Sequence, residues 1–150
     1  MEIPNELEER ARQYLNQHRP GAKLNEVLGY GTDGAVWATS HRTALKVFER
    51  DQGYYNERDC YRRLAEFGVT RRISDFWVAE MHGCDDLLMV VEMDIMQEPP
   101  FVIDFAKSKI DRPPDFSKEV LAEQEIIGRD LFDQNWPAVV QLLDELESYL

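Results

Sequence analysis

Three glycines, a lysine and a glutamate are the residues of this chain whose types and spacing could do chemistry. Gly29, Gly31 and Gly34 stand at G-x-G-x-x-G spacing, with Val36 just beyond. Glycines in such a turn let backbone N–H groups approach phosphate oxygens without Cβ clashes. Ala44 and Lys46 follow in a β-prone run, two residues apart and therefore on one face of a strand. A small residue there leaves room for a flat base, and the ammonium can reach phosphate. Glu57 shares a helical stripe with Tyr54, Tyr61 and Leu64, at i, i+3, i+7 and i+10. An acid on an otherwise apolar side needs a partner, because an unpaired buried carboxylate is costly. The alternative is that Glu57 lies at the edge of the stripe and is solvated. For the glycines the alternative is a structural hairpin with a surface lysine, since Asp33-Gly34 is also an ordinary hairpin signal.

Two phosphate-binding architectures share the glycine spacing. A dinucleotide fold needs a helix to start within the motif. Here Ala35 to Ser40 is β-prone at Val36, Trp37 and Thr39, and reads as a strand returning from a hairpin. The spacing predicts strands at roughly 24–30, 34–40 and 43–49. Before them, Ile3, Leu7, Ala11, Tyr14 and Leu15 form a helical stripe that starts near Pro4 and ends at Pro20-Gly21. After them, Asp51-Gln52-Gly53 reads as a loop and Tyr54 to Phe67 as a helix. A hairpin follows, with strands at 75–83 and 87–94 and its turn at Cys84-Asp85-Asp86. Pro99-Pro100 and Pro113-Pro114 break regular structure. Two helices close the chain. One runs from an N-cap at Ser117 to about Asp133, and the other from Asn135-Trp136-Pro137 to the end. The second carries Val139, Leu142, Leu143, Leu146, Tyr149 and Leu150 as its apolar stripe.

Strand, glycine-rich turn, strand, turn and strand with a lysine resembles the N-terminal lobe of the protein-kinase-like superfamily. The residues that carry the likeness are Gly29, Gly31, Gly34 and Val36, then Ala44-Leu45-Lys46. The resemblance implies an α+β fold: a five-stranded antiparallel sheet with one packed helix, preceded by an N-terminal helix and followed by two C-terminal helices. It divides the chain into a helix at 1–20, the lobe at 21–96, and a connector with helices at 97–150. It implies ATP as cofactor, with magnesium, and makes Glu57 the ion-pair partner that holds Lys46 toward phosphate as the catalytic pair. It sets Val91 at the back of the pocket and gives the backbone of Glu92 and Met93 the adenine edge. Asp104 in Ile103-Asp104-Phe105-Ala106 mimics a metal-binding D-F-G, but it follows the hinge too closely and lacks the glycine, so a structural role is expected. No H-R-D-x-x-x-x-N occurs. The expectation is the nucleotide-binding portion of a kinase-like phosphotransferase, incomplete and inactive alone. The alternative is a non-catalytic kinase-like (pseudokinase) module acting through protein partners.

Composition limits the partners. The chain has 150 residues and a net charge of −12, without a basic run, which disfavours nucleic acid and anionic membrane. Cys60 and Cys84 form neither metal nor disulfide spacing, and no apolar run approaches membrane-spanning length, so a cytoplasmic protein is expected. The C-terminal apolar stripe is expected to seek cover through self-association or a protein partner.

Overall fold

Because side chains alternate across a pleat, each strand can serve two different layers. The computed structural model describes residues 2–74, 76–96 and 117–150. Helix α1 (Asn5–His18) leads into strands β1 (Leu24–Gly31), β2 (Gly34–Thr39) and β3 (Thr43–Phe48). Helix α2 (Asp51–Glu66) follows, then the short pair β4 (Arg72–Ile73) and β5 (Phe76–Trp77). Strands β6 (Met81–Asp85) and β7 (Val90–Asp94) come next, and helices α3 (Lys118–Phe132) and α4 (Trp136–Tyr149) end the chain. The protein is α+β, with a five-stranded antiparallel sheet in the order β1-β2-β3-β7-β6.

The two faces of that sheet are covered by different helices. Ala35, Trp37, Leu45, Val47 and Val90 point to the back, where α1 lays down Leu7, Ala11, Tyr14 and Leu15. Phe48 and Val91 point to the front, against Tyr54 and Tyr61 of α2. A third layer forms on α2 itself. Cys60 and Leu64 pack with Val69, Ile73 and Val78, and with Leu142, Leu146 and Leu150 from the C-terminal helix. The apolar stripe expected to drive self-association is thus covered within the chain at Val139, Leu142, Leu146 and Leu150, while Leu143 stays on the exposed side.

Three boundaries differ from the sequence expectation. Helix α2 starts at Asp51, so Asp51-Gln52-Gly53 is its first turn rather than a loop. Gly53 fits there against the Phe48 ring, and an acid at the helix start suits the dipole. The strand expected at 75–83 is divided: Phe76 and Trp77 pair with Arg72 and Ile73, outside the main sheet. The hairpin turn lies at 86–89, because Cys84 and Asp85 are still paired with Val91 and Val90. Asp85 Oδ1 accepts the N–H groups of Leu87 and Leu88, so a carboxylate closes a turn inside what reads as an apolar strand. The N-cap at Ser117 is where the sequence puts it, accepting from Val120 N–H at 3.3 Å. Asp104, with the rest of the post-hinge connector, lies outside the described residues.

Candidate functional site

Lys46 projects to the front of the sheet in one cross-strand row with Val36 on β2 and Val91 on β7. Gly29 on β1 extends that row, and Ala44 shares the front face, paired with Ala38 and Met93. Above it, α2 delivers Glu57, whose Oε2 lies 2.5 Å from Lys46 Nζ. The glutamate side chain is 7% exposed and the lysine 21%, so the pair sits at the margin of the interior. Attraction is strong at that depth, and either charge alone would be costly. Nζ also lies 4.8 Å from the centre of the Phe48 ring. An ammonium has three N–H donors. Among the described residues Glu57 is the one acceptor that Lys46 meets, which leaves two donors for solvent or an anion.

Helix α2 is held in register by more than apolar contact. Tyr54 is fully buried, edge-on to Phe48, and donates its hydroxyl to Asp86 Oδ1 at 2.6 Å. Arg58 donates to the same oxygen at 2.8 Å. Burial and then the hydrogen bond to Asp86 push the Tyr54 phenol well above its ordinary range. The donors Tyr54 and Arg58 hold the Asp86 carboxyl below the usual carboxylate value.

The three glycines separate by what they contact. Gly31 pairs with Gly34 across the tight Thr32-Asp33 turn. At Gly34, with φ of +141°, a Cβ would lie 1.9 Å from the Val47 carbonyl oxygen, so the neighbouring strand itself demands glycine there. At Gly29 and Gly31 a Cβ would meet nothing within 4 Å among the described residues, and neither φ is in the left-handed region. Neither packing among the described residues nor backbone conformation requires glycine at those two positions.

Val91 is fully buried and pairs with Lys46 across the strands. Glu92 and Met93 do not sit at a strand exit. Both are paired on either side, with Leu45 and Ala44 of β3 and with Gly83 and Met81 of β6. The ladder runs on to Asp94, whose N–H donates to the Glu80 carbonyl. Their backbone groups are therefore committed to the sheet, and the adenine-edge role expected of them does not fit; the first residues past the ladder are Ile95 and Met96.

The Glu92 side chain has a role that the sequence reading missed. It turns to the back face, 1% exposed, where Thr43 donates to Oε1 at 2.8 Å and Tyr14 and Arg19 reach Oε2 at 3.1 and 3.0 Å. Burial, reinforced by that carboxylate, pushes the Tyr14 phenol well up. A glutamate embedded in Val90-Val91-Glu92-Met93 was the signal of a buried acid in need of donors.

Hollows of about 290 and 270 Å³ lie elsewhere. One is between α1 and β1, lined in part by Arg12 and Lys23, and the other is beside Trp77, Asp94 and Met96. Among the described residues no three His, Cys, Asp or Glu side chains converge to hold a metal, and no helix is long and apolar enough to cross a membrane. In comparisons with protein-family models, curated proteins and solved structures, the chain finds no match.

Proposed function

We propose that the chain is the nucleotide-binding portion of a kinase-like phosphotransferase, with ATP as its ligand. The observation that carries this reading is the Lys46 ammonium, steadied by Glu57 and keeping two N–H donors uncommitted among the described residues. It lies on the same sheet face as a hairpin whose Gly29 and Gly31 are required by neither backbone conformation nor packing among the described residues. Lys46 and backbone N–H groups of residues 29–34 would hold the phosphates, and Val36, Ala44 and Val91 would flank the base. ATP would bring the transferable phosphoryl group. The adenine edge falls to the chain beyond Asp94.

Binding is proposed here without turnover. Phosphoryl transfer also needs carboxylates for magnesium and a base that positions the acceptor. The described residues offer no converging metal set, so no step is assigned to magnesium. A second reading is a kinase-like module that binds nucleotide and acts through protein partners.

Thermal-shift titration with Mg-ATP tests the ligand. At a hundredfold excess over Kd the stabilisation is about 2.7 kcal/mol, a rise of roughly 5–10 °C for a chain of this size. Lys46→Ala is expected to abolish that rise. No shift in the unsubstituted protein at millimolar nucleotide overturns the reading, and a shift that survives Lys46→Ala overturns the phosphate assignment. Binding without phosphate transfer to any acceptor selects the second reading.

A further inference from the structure

The contact that fastens α2 does more than add stability. Tyr54 and Arg58 are four residues apart, one turn of helix, and Glu57 lies between them. Both donate to the same atom, Asp86 Oδ1, on the turn between β6 and β7. Arg58 is itself fixed, pairing with Asp59 and lying 4.7 Å over the Tyr55 ring. A helix docked by apolar contact alone can roll or slide, and a roll of one residue carries a side chain through about 100°. Two donors from successive turns, converging on one oxygen of another element, oppose both motions. The turn bearing that oxygen is closed by Asp85, and its Met89 carbonyl accepts Phe48 N–H at 3.0 Å, two residues beyond Lys46 on β3. Asp86 therefore ties the helix that carries Glu57 to the strand that carries Lys46.

The geometry points to Asp86 as the positioning residue of the Lys46–Glu57 pair, holding the glutamate over the lysine whether or not a ligand is bound. The pair's use toward phosphate rests on the proposed function; the positioning does not.

The test is the acylation rate of the Lys46 amine, read by mass spectrometry on the full chain well below its melting temperature. Asp86→Ala is expected to raise that rate about tenfold, the equivalent of one charge-assisted hydrogen bond. Asp86→Asn, whose amide oxygen can still accept from Tyr54 and Arg58 but without the charge, should raise the rate less than Asp86→Ala. Leu15→Ala, a destabilising change on the back face, should leave the rate unmoved and so controls for loss of stability. If Asp86→Ala does not fold, Tyr54→Phe, which removes one of the two donors, decides with a smaller rise. A folded Asp86→Ala that labels at the unsubstituted rate overturns the proposal, as does Tyr54→Phe at that rate where Asp86→Ala does not fold. Faster labelling of Asp86→Ala, with no Mg-ATP shift in the unsubstituted protein, would uphold the positioning and sink the nucleotide reading. Unchanged labelling beside a clear Mg-ATP shift would do the reverse.

Discussion

The two faces of the sheet each bury a glutamate, and they treat it differently. On the back, Glu92 is surrounded by donors: the hydroxyls of Thr43 and Tyr14 and the Arg19 guanidinium. Thr39 extends the chain, its Oγ1 lying 2.7 Å from that of Thr43. Even Gly83 serves it, since a Cβ there would come within 2.6 Å of the Tyr14 hydroxyl. On the front, Glu57 faces a lysine that keeps N–H donors uncommitted among the described residues. A saturated carboxylate is a staple, here pinning α1 to β7. A carboxylate beside an ammonium with two of its three N–H donors uncommitted among the described residues leaves room for an anion, and that contrast is why the front face carries the proposed ligand.

The contrast can be broken most sharply at Glu92. Glu92→Ala leaves the buried Tyr14 hydroxyl without its acceptor, takes the carboxylate from the half-buried Thr43 and Arg19, and should cost about 3–5 kcal/mol, a fall of roughly 10 °C or more in melting temperature by circular dichroism. Its Mg-ATP shift should persist while the protein remains folded; loss of the shift would mean the faces are not independent. The glycines come next. Gly34→Ala should cost about 3 kcal/mol by denaturant titration, because the β3 backbone cannot retreat, whereas Gly29→Ala should stay within about 0.5 kcal/mol. An equal cost at both would erase the distinction between a glycine that packing demands and one that it does not.

A double-mutant cycle on Lys46→Ala and Glu57→Ala should return a coupling of about 1–3 kcal/mol, since each single change leaves a partly buried charge. Strict additivity would say that the pair is not formed in solution. The smallest effect concerns Asp85, which joins His18 of α1 to β6 at 2.8 Å. Burial works to raise its carboxyl, but hydrogen bonds from His18 and from the Leu88 and Leu87 N–H groups outweigh it and hold it below the ordinary value. The stabilisation is therefore complete above the unfolded carboxylate range, about pH 4, and is lost as pH falls through the lower folded value. Melting temperatures between pH 6 and 2.5 should fall less steeply in Asp85→Asn than in the unsubstituted chain.

Much of the architecture was legible because it follows from periodicity. The stripe of α1, the three-strand meander, the helix carrying Glu57 and the Ser117 cap are local patterns, and local propensity and tertiary packing agree on them. The hairpin turn was misplaced because Leu87, Leu88 and Met89 read as strand, while Asp85 closes the turn through its side chain. The pairing of Glu92 and Met93 on both sides was not legible because a run such as Val90 to Asp94 does not reveal where its partners stop pairing.

Residue types and spacing alone determined which side chains could do chemistry: a lysine and a small residue on one strand face, glycines in a turn, and an acid that had to find a partner. The resemblance named Lys46 as the partner of Glu57, and the structure forms that pair; only the tertiary structure decided that Glu92 belongs to the back face and that Asp86 grips α2 at the turns beside the pair. The physical reason is separation along the chain. Donors and carboxylates that meet across 28 to 78 positions leave no period in the sequence, and they find one another only when helices and strands pack.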